Sequence, residues 1–253
     1  SININQLFSY GEFQEHTYEA MIKIDDQTLA YSSWDFNENG ESYPALIIDD
    51  VSDPLNPQRI SVSGLSGYPY WGSFKIKENY LFACNSYDGL DIIDISDLFN
   101  PVTVGHYDYY YADDPYLSGR IYDIAILGDT AFLASRQGGL KILDISDHSN
   151  PIDLGTYFSN SNSYIDAVEI IGENVIIGDR SGNVTLLDVT NISSPEILSE
   201  INIGSLVWDF IVSDNVIDVL GYTNPIRYAK IIYNENNISL ANEIIEVEEG
   251  YSF

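Results

Sequence analysis

One string of residues recurs through this chain, and it limits the possible folds more than any other feature. LIIDDVSDPLNP runs from Leu46 to Pro57, LDIIDISDLFNP from Leu90 to Pro101, and LKILDISDHSNP from Leu140 to Pro151. VTLLDVTNISSP follows from Val184 to Pro195, and a degraded copy, AKIIYNENNIS, covers Ala229 to Ser239. The equivalent positions Asp50, Asp94, Asp144, Asp188 and Tyr233 stand 44, 50, 44 and 45 residues apart. A period in the mid-forties built from short apolar runs fits one four-stranded propeller blade per repeat.

Each copy divides into the same four pieces. In the third, Tyr122 to Leu127 and Ala131 to Ala134 are apolar runs split by Gly128-Asp129-Thr130. Leu140 to Ile145 follows Gln137-Gly138-Gly139, and Ile152 to Phe158 follows the Ser-Asp-x-x-Asn-Pro turn. Short runs rich in Ile, Val, Tyr and Phe, bounded by Gly, Asn, Asp and Pro, are strands. No helical period persists, so the class is all-β. The paired carboxylates of the turn, Asp94/Asp97 and Asp144/Asp147, read as Asx and ST turn formers and not as metal ligands. Their side chains bond nearby amides, and the proline fixes entry into the fourth strand.

The Leu-x-Ile-Ile-Asp-Ile-Ser-Asp-x-x-Asn-Pro core resembles the LVIVD-repeat family of β-propellers. That resemblance implies a propeller of four-stranded blades at the cell surface or secreted, and it assigns no chemistry. The five copies predict five blades in one domain over 1–253, with repeats near 16–64, 68–108, 118–158, 163–204 and 205–249. Six blades, or a segment of a longer array, is the alternative. The tail Gly250-Tyr251-Ser252-Phe253 resembles the start of another blade.

Composition narrows the partners. Ten Lys and Arg against 39 Asp and Glu leave a formal charge of −29 on 253 residues. So acidic a surface repels nucleic acid and anionic lipid. Cations, neutral sugars or basic protein patches suit it better. The single cysteine, Cys84, lies in an apolar run and reads as a buried structural thiol. No apolar stretch approaches the roughly 20 residues that span a bilayer.

In a propeller, the fourth-to-first and second-to-third connections share one face. Both long insertions fall there: Ser33 to Tyr43, with Trp34 and Tyr43, and the segment with Tyr109, Tyr110, Tyr111 and Tyr116. Arg136 and Arg180 occupy equivalent positions on the same face, each eight residues before its repeat aspartate. Loops held by a rigid frame carry function, and Tyr and Trp combine contact area with a polar tip. This face is therefore the expected binding surface for a glycan or protein.

Asp35-x-Asn37-x-Asn39-Gly40 has the spacing of an oxygen-donor calcium loop, but Leu46 stands where a bidentate Glu would close it. At the start of each first strand, Glu19, Trp71, Tyr122-Asp123, Asp166 and Trp208-Asp209 predict a ring of acids and aromatics at the channel mouth. Such acids either bond neighbouring blades or hold a ligand. Two of them acting as acid and base would make a glycan-active hydrolase or lyase, the enzymatic alternative. The histidines His16, His106 and His148 are scattered, and His148, in a repeat turn, reads as solvated. Without a recognisable catalytic motif, the expectation is a non-enzymatic, extracytoplasmic binding propeller, with calcium as an optional support.

Overall fold

The computed structural model describes residues 20–37, 39–65, 72–85, 89–108, 120–159, 164–222, 226–241 and 244–247. They form five antiparallel sheets and no helix. The first sheet comprises β1 (Met21–Lys23), β2 (Thr28–Phe36), β3 (Ser42–Asp50) and β4 (Gln58–Gly64). The second comprises β5 (Phe74–Lys77), β6 (Tyr80–Asn85), β7 (Gly89–Asp94) and β8 (Val102–Tyr107). The third holds β9 (Asp123–Leu127), β10 (Thr130–Ala134), β11 (Leu140–Asp144) and β12 (Ile152–Tyr157). The fourth holds β13 (Ile165–Ile171), β14 (Asn174–Asp179), β15 (Asn183–Asp188) and β16 (Glu196–Asn202). In the fifth, β17 (Val207–Ser213), β18 (Val216–Gly221) and β19 (Ile226–Asn234) are followed by β20 (Asn237–Leu240) and β21 (Ile245–Val247). Both of the last two strands pair with β19, so the degenerate repeat splits its fourth strand.

Each of the first four sheets is an up-and-down meander, and the first strands β1, β5, β9, β13 and β17 neighbour one another in order. This is a β-propeller of four-stranded blades, with the first strands innermost. The core consists of layers between blades. Ala30, Leu46 and Ile48 of blade one pack with Leu81 and Ala83 of blade two. Phe82, Leu90 and Ile92 on the opposite face of blade two meet Ile124, Ala131 and Leu133 of blade three. Phe132, Leu140 and Ile142 then face Val175 and Ile177, and Ile176 and Leu186 face Ile217, Val219 and Ile231. Successive residues of a strand point to opposite faces. A blade covered on both sides therefore needs the unbroken apolar runs that the repeat supplies.

The repeat turn joins blades as well as strands. Asp50, Asp94, Asp144 and Asp188 each accept an amide two residues on, from Ser52, Ser96, Ser146 and Thr190, all at 2.8 Å. Asp97 also accepts from the Phe99 amide and the Asn100 side chain. These bonds hold the aspartates below the usual carboxylate range. The residue four beyond the repeat aspartate reaches the preceding blade. Leu98 packs against the layer between blades one and two, and its carbonyl accepts the Ser61 hydroxyl of blade one; Ile192 packs against the layer between blades three and four. His148 stacks on Tyr80 of blade two at 4.0 Å between ring centroids and lies beside Phe82. His148 is thus a half-buried wedge, not a solvated side chain, because its turn lies over the neighbouring blade.

Candidate functional site

Among the described residues, two of the places that bring chemically capable side chains together hold residues the sequence singles out. The first is the channel. Pairing registers align Ala20, Ser73, Asp123, Ala167 and Asp209 in one layer of the first strands, and Ile22, Lys75, Ala125, Glu169 and Ile211 in the next. In the upper layer, Asp123 accepts the Val168 amide of blade four and its own neighbour's amide at Ile124, both at 2.9 Å. Burial pushes its carboxyl up to about 7; the Val168 bond opposes this and the charge of Asp209 adds to it. Asp209 is likewise raised by burial, while the Phe210 amide bond opposes the shift. In the lower layer, Lys75 and Glu169 form an ion pair of 2.5 Å from blade two to blade four. Cys84, behind this wall, is buried, and burial pushes its thiol well up.

Among the described residues, the expected ring of acids is incomplete. Asp123 and Asp209 share a layer, but Asp166 does not join them. A β-bulge between Ile165 and Ala167 leaves Asp166 outside the ladder and puts Ala167 where blade three has Asp123. Glu19 and Trp71 lie outside the described residues. Lys75 and Glu169, which the sequence reading did not single out, supply the charge pair instead. A lysine on a first strand of so acidic a chain was the available signal.

The second place is the face of the second-to-third strand loops between blades three and four. Here Asp166, with 2% of its side chain exposed, accepts the Nε–H of Arg136 at 3.1 Å and of Arg180 at 2.6 Å, one on each carboxylate oxygen. The Arg136 guanidinium lies 3.8 Å from the centroid of the Tyr122 ring, and that of Arg180 lies 5.1 Å from Tyr164. Such stacking is attractive, by about 0.5–2 kcal/mol depending on desolvation. Gln137 donates to the Tyr164 hydroxyl. Burial pulls the Arg136 pKa below its usual value, and the adjacent Arg180 adds to the effect.

The backbone fixes this cluster. Arg136 sits at φ 50°, a left-handed conformation uncommon for a side-chain-bearing residue. Its N–H donates to the Ile165 carbonyl, and the Ile165 N–H donates back, so the blade-three loop is pinned to blade four. Ser135, Gly138 and Gly139 close the loop from within. Arg180 is held by donating its N–H to the Tyr164 carbonyl. Asp179 accepts the amides of Ser181 and Asn183 in the same turn. The sequence pointed to Arg136, Arg180, Tyr122 and Asp166 separately. Their meeting, and the parts of Tyr164 and Gln137, depend on the bulge and on a contact between blades.

The other sequence-predicted positions lie apart. Trp34 and Tyr43 stand on β2 and β3, which continue as a nine-residue ladder, so the blade-one insertion is an extended hairpin. Asp35 accepts from the Tyr43 hydroxyl at 3.2 Å. Asn37 Oδ1 accepts the amides of Asn39 and Glu41. Within the calcium-like motif, Asn37 therefore caps the hairpin turn and one oxygen of Asp35 braces the ladder. Among the described residues, no group of three or more His, Cys, Asp or Glu is arranged to hold a metal ion. Trp208, bulged out of its ladder, packs its ring near Tyr222 at 5.5 Å. Tyr109, Tyr110, Tyr111 and Tyr116 lie outside the described residues.

Compared with known proteins, residues 72–109 and 118–158 match the LVIVD repeat. No curated protein matches the chain. Among solved structures, the computationally designed Ika8 protein superposes with a TM-score of 0.62 at 12% identity, over 92% of this chain and 64% of that one. BamB from Moraxella catarrhalis superposes with a TM-score of 0.51 at 14% identity, over 80% of this chain and 54% of that one. This chain thus spans under two thirds of the length of either, and at such identities the likeness concerns the fold alone.

Proposed function

Starting from a β-propeller that carries LVIVD repeats, we propose that the chain is a non-enzymatic binding module, extracytoplasmic, which takes a glycan or protein on its second-to-third loop face. The observation that carries this reading is the clamp of Arg136 and Arg180 on the buried Asp166, flanked by tyrosines. An arginine held in a left-handed conformation, with its guanidinium partly desolvated, is costly to stability. Such strain concentrates at binding and switch sites. The channel supports an enzyme less well. The layer of Asp123 pairs it with Ser73, Ala167 and the like-charged Asp209, and its oxygens are engaged by amides. Extracytoplasmic placement rests on the family resemblance and on the acidic surface. The reading does not need calcium, because the oxygens of the blade-one motif already serve the hairpin.

A glycan array probed with the purified protein tests this reading, alongside turnover assays on arabinan and xylan. Binding that Tyr164→Ala weakens at least tenfold, with no turnover, is the expected result. Turnover that Asp123→Asn abolishes would overturn it in favour of the channel.

A further inference from the structure

We infer that the loop-face site recognises a single carboxylate carried on an otherwise neutral sugar, a uronate-type ligand held by Arg136 and Arg180. The inference deepens the binding-face reading and rests on it. Arginines are scarce here: the whole chain has 10 Lys and Arg against 39 Asp and Glu. Two of them nevertheless converge on one carboxylate, so the cluster of Arg136, Arg180 and Asp166 keeps one net positive charge.

The geometry leaves donors available. Both arginines use Nε–H on Asp166, and a guanidinium carries further N–H groups on its terminal nitrogens. Among the described residues, Asp166 is the one acceptor that either guanidinium meets. Asp166 thus acts as a splint that ties the two guanidiniums to one carboxylate, one on each oxygen. Paired forks match a carboxylate, which accepts parallel N–H bonds. Arg180 has 33% of its side chain exposed and Arg136 16%, so a ligand can reach the first and approach the second. An anion beside Arg136 would favour its charged form and so offset the cost of its burial.

Charge on the whole molecule selects which anion. At −29, the chain repels a polyanion over its length, whereas one carboxylate feels mainly the local positive cluster. One face of the Tyr122 ring is taken by the Arg136 guanidinium, and the Arg180 guanidinium stands over Tyr164 at the longer distance of 5.1 Å. The Tyr164 hydroxyl and the Gln137 amide lie beside the cluster as donor and acceptor groups for sugar hydroxyls.

The experiment is calorimetric titration of the wild-type protein with glucuronate, glucose, acetate and inorganic phosphate, at low and at moderate salt. Glucuronate is expected to bind at least tenfold tighter than glucose or acetate, and to weaken severalfold as salt rises. Arg180→Gln should cost tenfold or more in glucuronate affinity, and Arg180→Lys nearly as much, because an ammonium lacks the fork. The wild-type comparison of glucuronate with glucose needs no variant and stands even if a variant fails to fold. Equal affinity for glucuronate and glucose, or for glucuronate and acetate, overturns the proposal. So does phosphate binding more tightly than glucuronate. A neutral array ligand that survives Arg180→Gln but is lost in Tyr164→Ala would end this inference while leaving the binding face. No array ligand together with no glucuronate binding would end this inference and the glycan form of the binding-face reading.

Discussion

Asp166 and Asp123 are neighbouring blades' versions of one sequence feature, an acid at the start of a first strand, and their surroundings give them opposite roles. Asp166 is bridged by two guanidiniums, one on each carboxylate oxygen. Replacing it with Asn leaves the two arginines side by side without a counter-charge, and breaking a buried pair from one side is expensive. Because Arg180 is partly solvated, the expected loss is about 3 kcal/mol, or about 6–12 °C in melting temperature for a chain of this size; an unchanged melting curve would show that the splint does not hold the loop. Among the described residues, Asp123 has no guanidinium at its oxygens, which accept amides. Its folded-state pKa of about 7 lies above the roughly 3.9 of an unfolded Asp, so the fold favours the protonated form. Stability from this group is full below about pH 4 and is lost as pH rises towards 7. Partial access of water to the channel wall tempers the effect to about 2 kcal/mol, or about 4–8 °C between pH 4.5 and 8. In Asp123→Asn that decline should vanish, as thermal scans across pH would record. The turn aspartates, with lowered pKa values, act in a separate window: their contribution is present above about pH 4 and lost on further acidification.

At the level of strands and turns, the division between what the sequence reveals and what it hides has a physical cause. The repeat turn is legible because its bonds are local: an aspartate and the amide two residues on are fixed by adjacent side chains alone. The four-strand rhythm is legible for the same reason, since period and punctuation lie along the chain. The bulges are not. Every third-to-fourth strand pair of the first four blades shifts register at the equivalent place, between Ile48 and Asp49, Ile92 and Ile93, Ile142 and Leu143, and Leu186 and Leu187. A bulge is a negotiation between two strands, and one extra residue turns the following side chains to the other face. The bulge at Asp166 did this to the predicted acid ring, and in doing so built the arginine clamp. The burial of His148 is hidden from the sequence for a related reason: it comes from another blade. That contact makes a sharp prediction at Gly105. A Cβ there would stand 1.9 Å from the His148 carbonyl oxygen, a backbone atom that cannot swing away. Gly105→Ala should therefore cost about 3 kcal/mol, the upper end of ordinary overpacking. His148→Ala, which removes only the ring stacked on Tyr80, should cost less. Denaturant titrations of the two variants side by side would reverse this ranking if the blades were joined mainly by the ring.

On the scale of the whole molecule, the excess of 29 negative charges sets how the protein answers to ions. Self-repulsion destabilises a compact state and salt screens it, so melting temperature should rise with sodium chloride towards a plateau once the screening length falls below about 10 Å. A calcium site would add a distinct increment. One native-state site at about 100 times its dissociation constant contributes about 2.7 kcal/mol, equivalent to about 5–10 °C here. The geometry argues against that increment at the blade-one motif, because Asn37 Oδ1 is occupied by two amides and Asp35 by the Tyr43 hydroxyl. The repeat aspartates are occupied in the same manner, by the amides of their own turns. The expected result is that calcium, magnesium and sodium chlorides, matched in ionic strength, give melting temperatures within about 2 °C of one another, each above that in dilute buffer. A calcium-specific rise of 5 °C or more, abolished by Asp35→Ala, would mean that the hairpin turn rearranges to surrender its oxygens to the ion. The long-loop face would then have a second organising element beside the arginine clamp.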